Sequence, residues 1–172
     1  MKMKVIAMLA AFALTASVVQ AQELPRKVQN VEVLDLDGKP AKLPYFGEKN
    51  LMIFYVDPDR HKQNEDFTIE LEQNHRAESD NIHGFGVMNL KDAPMVPNGM
   101  ARNMAKKRTA KNGATVLADQ NRILSTAWAL GDCNNQFVLM IVSKEGELVF
   151  LRKGELSDAD KEAFYETIEK YK

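Results

Sequence analysis

A single cysteine, Cys133, stands among 172 residues. An intramolecular disulfide is therefore excluded, although an oxidising compartment would permit one. Two-cysteine exchange is excluded with it, since that chemistry needs a low-pKa thiolate and a second sulfur to resolve the mixed disulfide. Also missing are a glycine-rich phosphate loop, a nucleophile elbow and a paired metal motif. There is no basic excess. Of 23 basic side chains, Lys2 and Lys4 stand near the start, which leaves 21 against 24 acidic ones. Broad nucleic-acid binding wants a clear positive balance, so none is expected. No internal repeat, low-complexity tract or second domain interrupts the chain. No apolar run reaches the roughly 20 residues that span a bilayer.

What is present begins with an export pattern. Lys2 and Lys4 give a positive start, residues 5–18 an apolar stretch, and Val19-Gln20-Ala21 a small-residue cleavage site. Residues 1–21 are expected to be a signal peptide cleaved before Gln22, with no cysteine beside the cut to carry a lipid. The mature chain, 22–172, is about 150 residues, enough for one domain with a real core. Its expected compartment is the bacterial periplasm, with no membrane span after cleavage.

Periodicity sets the order of elements. Residues 30–35 alternate at period two, Asp37-Gly38-Lys39-Pro40 turns, and Ala41-Lys42-Leu43 returns, which reads as an edge hairpin. Leu51-Met52-Ile53-Phe54-Tyr55-Val56 is apolar without alternation and suits a central strand covered on both faces. Pro58 follows, suited to a first helical position with Asp57 as its cap. Spacing and the lack of breakers predict a helix over 62–76, with Phe67, Leu71 and His75 on one row and Ile69 facing away. Residues 84–90 supply the next strand and close a parallel βαβ crossover. A proline-bearing connection over 91–99 leads to a charged helix over 100–111, ended by Asn112-Gly113 as a left-handed cap. A short strand follows at 115–118. Ile123, Leu124, Ala127 and Trp128 mark a short helix, and 136–142 is another continuous apolar strand. Lys144-Glu145-Gly146 turns that strand into a hairpin with 148–151. Ser157 and Asp160 then cap a last helix whose Phe164, Ile168 and Tyr171 share a face.

This order predicts an α/β fold, thioredoxin-like, with a mixed central β-sheet and helices on both faces. A set of short stretches carries a closer likeness. They are Asp92-Ala93, Val96-Pro97-Asn98-Gly99-Met100-Ala101-Arg102, Val116-Leu117-Ala118-Asp119-Gln120-Asn121 and Ala127-Trp128-Ala129-Leu130. Lys144-Glu145-Gly146-Glu147-Leu148-Val149 and Lys153-Gly154-Glu155-Leu156-Ser157 complete the set. In order and spacing they resemble the YtfJ-like family of exported thioredoxin-fold proteins over roughly the second half of the mature chain. The first half matches in element order alone. The resemblance implies a periplasmic location and the fold, and it brings no catalytic residue.

In dithiol enzymes of this fold the reactive pair opens the helix after the central strand. Here that stretch reads Val56-Asp57-Pro58-Asp59-Arg60-His61-Lys62, with no sulfur. Such enzymes also set a cis-proline before the strand that faces the active site, and Asn134-Asn135-Gln136 stands there instead.

The candidate binding residues are Asp57, Asp59, Arg60, His61 and Cys133. Asp57, His61 and Glu65 fall four residues apart with Asp59 adjacent, and carboxylates with imidazole could bind zinc or copper. Acidic residues also gather at helix starts for another reason, because they cap free amides and complement the dipole. Cys133 follows Gly131-Asp132 in the loop before a core strand. A functional thiol needs a lowered pKa, whereas Asp132 would raise it. Met95, Met100 and Met104 form a loose thioether series that suits Cu(I) or simple core filling. Arg102, Lys106, Lys107, Arg108 and Lys111 make a basic helix face, either a solvated surface or a contact for an acidic partner. No catalytic residue, metal ligand set or cofactor is assigned.

The sequence therefore predicts a periplasmic thioredoxin-like protein without redox cysteines. It reads as a non-catalytic binding or accessory module of the cell envelope, with an envelope protein as partner and with 57–62 and 94–99 as contact surface. One alternative is a metal-dependent or acid–base enzyme using Asp57, Asp59 and His61. The other is a single-cysteine redox protein using Cys133.

Overall fold

The apolar run at 51–56 lies in the middle of an eight-stranded sheet. The computed structural model describes residues 23–172, and the signal peptide expected at 1–21 lies outside the described residues. The strands are β1 (Arg26–Lys27), β2 (Glu32–Leu34), β3 (Pro40–Lys42), β4 (Asn50–Val56), β5 (Ile82–Asn89), β6 (Val116–Asp119), β7 (Phe137–Val142) and β8 (Glu147–Lys153). The helices are α1 (Glu65–Asn74), α2 (Asn98–Asn112), α3 (Ile123–Ala127) and α4 (Asp158–Tyr171). Spatial order is β1-β8-β7-β4-β5-β6-β2-β3. β4, β5 and β6 are mutually parallel, and the remaining pairings are antiparallel. This is the mixed sheet the element order predicts.

Side chains on a strand alternate between faces. Leu51, Ile53 and Tyr55 of β4 therefore enter one core together with Phe85, Val87, Val138, Met140, Leu124 and Trp128. Met52, Phe54 and Val56 turn to the opposite core, formed with Phe67, Leu71, Leu139, Ile141, Phe164 and Ile168. Helix α3 covers the first face, while α1 and α4 cover the second. A third, smaller cluster joins Ala101 of α2 to Ala118 and Leu90. All six residues of β7 are buried, which is why that segment shows no polar alternation.

Most boundaries fall within two residues of expectation, a spread common at element ends. The Ser157–Asp160 capping box is present in both directions, and Gly113 ends α2 at φ 70°. Phe164 and Ile168 of α4 are fully buried, each a contribution of about 2 kcal/mol by area removed from water. One expectation fails. The helix predicted from residue 62 does not start there, and Asp57 does not cap it. Asp57 caps a separate 3-10 turn, Pro58–Arg60, and α1 opens only at Glu65, after Asn64 at φ 62°. The reason is tertiary. The Asn64 side chain donates to the Gly154 carbonyl at 2.9 Å and accepts from the Leu156 amide at 2.8 Å, anchoring the break against the β8–α4 connection. His75 is correspondingly the left-handed residue just past α1, exposed, rather than a third member of its buried row.

Candidate functional site

Three parallel strands, β4, β5 and β6, end at one edge of the sheet, the edge where ligand loops gather in open α/β sheets. Asp57 leaves β4 at that edge and is fully buried. One carboxylate oxygen accepts from the Asp59 amide at 2.9 Å and the other from the Asn135 amide at 2.7 Å. Its own amide donates to the Gln136 carbonyl at 3.1 Å. The side chain thus clips the 3-10 turn to the segment that leads into β7. Gln63 adds a second clip, its Oε1 accepting from the Phe137 amide at 2.8 Å. A carboxylate thus joins the sulfur-free turn after β4 to the loop before β7.

Asp59, Arg60 and His61 are exposed on the turn, and His61 Nδ1 lies 3.0 Å from the Pro58 carbonyl oxygen. Two cavities flank them. A polar one of about 600 Å³ is lined by Asp59, Arg60, His61, Lys62 and the start of α1. An apolar one of about 510 Å³ lies toward α2, lined by Val56, Pro58, Asp59, His61, Met88 and Val96 among others. Pro58, Asp59 and His61 thus share one cavity with Val96, the one residue of 94–99 that lines it. Asp57 and Cys133 line neither. Among the described residues no group of three or more His, Cys, Asp or Glu could hold a metal ion. Met95, Met100 and Met104 are all exposed rather than core-filling.

Cys133 is 3% exposed and packs in the first core. Its Sγ lies 3.5 Å from the Gly131 carbonyl oxygen, and its own carbonyl accepts from Asn89 Nδ2 at 3.4 Å. Burial pushes the thiol up to about 11, with Lys153 opposing and Asp132 adding to the rise. Sequence reasoning named Asp132 as the cause, but loss of water is the larger one. A thiolate is the nucleophile, so iodoacetamide labelling of the folded protein is expected to be far slower at pH 7 than that of the urea-unfolded chain. Labelling at equal rates would contradict the buried placement. The linkage has a definite sign. Below the ordinary value of 9.0 both states keep the proton, and above it only the unfolded thiol releases it. Stability therefore falls as pH rises from 9.0 toward 11, and Cys133→Ala is expected to flatten that slope.

A polar cluster that sequence reasoning missed sits beneath the same edge. Asp119, at the end of β6, is fully buried. Its Oδ1 accepts from the amides of Asn121 (3.1 Å) and Ile123 (2.9 Å). Its Oδ2 accepts from the Leu124 amide (2.9 Å) and the Tyr55 hydroxyl (3.3 Å). Burial first, and the Asp119 charge after it, push the Tyr55 phenol well above its ordinary range. Beside them Asn89 Nδ2 donates to Asp92, which forms an ion pair with Arg122. Burial alone would raise the Asp92 carboxyl, yet hydrogen bonds from Arg122 and Asn89 hold it below its ordinary value. Arg122 at φ 56°, Ala129 at 48° and Asn135 at 55° are left-handed in the chain around α3 and before β7, the kind of local strain that surrounding bonds must hold. The available sequence signal was Asp119 itself, an acceptor type placed just ahead of an apolar-periodic helix.

No known family model matches the chain, and no curated protein matches it. Solved structures do. The pneumococcal exposed lipoprotein thioredoxin of Streptococcus pneumoniae strain TIGR4 aligns with TM-score 0.60 at 19% identity, over 83% of this chain and 99% of that one. A peroxiredoxin-like protein from Aquifex aeolicus gives TM-score 0.60 at 11% identity, over 86% and 88%. Peroxidoxin BcpB from Mycobacterium tuberculosis gives 0.58 at 14%, over 86% and 97%. The chain has the thioredoxin-like fold that these thioredoxin and peroxiredoxin structures share, and it contains a single cysteine. Among the described residues no helix is long and apolar enough to cross a membrane.

Proposed function

We propose that this protein is an exported, periplasmic thioredoxin-like module of the YtfJ-like family that binds a partner in the cell envelope and performs no thiol chemistry. One observation carries the reading. The turn that follows β4, residues 57–62, holds no sulfur, and Asp57 there has both carboxylate oxygens engaged by backbone amides. The remaining sulfur is buried and hard to ionise. Fold alone does not fix function, so the argument rests on that site. The contact surface is the rim formed by 57–62 and 94–99, where Pro58, Asp59, His61 and Val96 line one apolar cavity and Asp59, Arg60 and His61 are exposed. The ordered motif set in the second half supports the family assignment, and the leader at 1–21 supports export.

The test is direct. The purified protein is expected to reduce insulin with dithiothreitol no faster than buffer, and to consume peroxide at the uncatalysed rate. Enzymatic turnover in either assay overturns the reading. Release by osmotic shock of a form beginning at Gln22 checks the export, and retention of residues 1–21 would count against it.

A further inference from the structure

The apolar cavity beside the 3-10 turn does not end there. A second cavity of about 780 Å³ lies along the same sheet face, and the two share Val116. The two lie end to end over β5, between α1 and α2. The floor of this cleft is shallow in side chains, because Gly84 and Gly86 of β5 face it beside Met52 and Phe54 of β4. Gly84 is exposed although it lies within an interior strand of the sheet. Parallel strands are ordinarily covered by helices on both faces. Here α1 and α2 stand to either side and leave Gly84 exposed and Gly86 half-buried, while Ile82 and Met88 at the two ends of the strand are packed over.

The two walls carry opposite charge. Helix α1 contains Glu65, Asp66, Glu70 and Glu72 and no lysine or arginine, and Glu72, Glu78 and Asp80 line the cleft on that side. Helix α2 contains no acid, and of its basic residues Arg108 lines the cleft, with Asp59 and His61 at its end, while Lys106 pairs with Asp37 away from it. Met52, Met88 and Met104 face the space between, and flexible thioethers suit surfaces that must adapt to another protein.

We infer that this cleft seats an amphipathic helix of a partner protein, with its apolar stripe on β5, its cationic flank against α1 and its acidic flank against α2. The observations favour a helix over a lipid. A single-headed amphiphile answers one charged wall, whereas a polypeptide stripe between residues of opposite sign answers both, and an apolar stripe laid in a groove is a recurrent mode of recognition. The inference rests on the reading of the chain as a binding module and specifies that module's partner.

The probe is a synthetic helix of about five turns, with leucine along one stripe, lysine on one flank and glutamate on the other. Calorimetry with the purified protein is expected to give a dissociation constant on the order of 10 μM. An all-glutamine-flanked analogue is expected to bind at least fivefold more weakly. Gly86→Val fills the floor, and β-branched residues suit strands. A Cβ at that position meets Val116 at an ordinary 3.5 Å, so the variant is expected to fold, which circular dichroism verifies, and to lose binding at least tenfold. Arg108→Glu, at an exposed position, is expected to weaken the bipolar helix and strengthen one with lysine on both flanks. Equal binding by parent and Gly86→Val overturns the proposal, as does indifference to the flanks. Dodecanoate binding there while the helix does not would assign the cleft to a lipid, and a dimer abolished by Gly86→Val would assign it to a second copy; either result overturns it. Failure of the helix to bind leaves the insulin and peroxide results standing, so the two readings fall separately.

Discussion

Asp119→Ala is expected to cost about 4 kcal/mol of folding stability, because a hydrogen bond to a carboxylate contributes roughly 1.5–3 kcal/mol and a buried donor left without a partner is penalised besides. The residue is fully buried and accepts four hydrogen bonds. Two come from the first amides of α3, Ile123 and Leu124, groups that no intrahelical carbonyl can serve, and a third from Asn121 just before the helix. Alanine leaves all of them and the Tyr55 hydroxyl without this acceptor. Asparagine restores one oxygen and sets an amide against the remaining donors, so Asp119→Asn should retain part of the loss. Tyr55→Phe is the informative control. It removes a long bond, 3.3 Å, from an oxygen that keeps the Leu124 amide, together with the same hydroxyl's contact to Ser125, and is expected to cost about 1 kcal/mol. Urea denaturation at constant m-value measures all three. A loss below about 1 kcal/mol for Asp119→Ala would mean that α3 finds its acceptors elsewhere.

Asp57→Ala is expected to cost about 3 kcal/mol, on the same magnitude for amide bonds to a carboxylate. Here two amides from different loops are left bare, those of Asp59 and Asn135. The effect is more than local, since the clip holds the 3-10 turn against the segment before β7. Amide hydrogen exchange is therefore expected to quicken over both loops together, at 57–64 and at 134–136, while β7 itself stays protected. Exchange confined to 57–64 would reduce Asp57 to an ordinary cap. Asp59→Ala and His61→Ala, on the exposed side of the turn, are expected to change stability by less than about 0.5 kcal/mol, as surface substitutions usually do. The contrast separates the residue that builds the turn from those that the turn displays.

What could be read from the residues follows from how local each cause is. Continuous apolar runs announced β4 and β7, whose burial on both faces removes any reason for polar alternation. The capping box at Ser157 and the glycine after α2 are contained within a few residues, so they were legible too. The start of α1 was not. Nothing between Lys62 and Glu65 breaks a helix intrinsically, and the break at Asn64 depends on partners at Gly154 and Leu156, about 90 residues away. The site was legible in the same uneven way. The absence of sulfur at the turn was plain, and Asp57 was read as a cap, though of the long helix rather than of the 3-10 turn it closes. Its second bond, to Asn135, joins segments 78 apart in sequence, and no periodicity reports such a pairing. The cluster of Asn89, Asp92, Asp119 and Arg122 was hidden for the same reason. Each is an unremarkable polar residue until three strands end side by side.

The two outermost strands have a consequence for how this molecule can meet others. At one rim β1 is two residues long and basic, and at the other β3 begins with Pro40, which has no amide to donate, between Lys39 and Lys42. Short, prolyl or lysine-bearing margins resist strand-by-strand accretion. Growth of the sheet from one molecule into the next is thereby discouraged, and contact is steered away from the ladder's open ends toward the broad surface that two glycines leave uncovered.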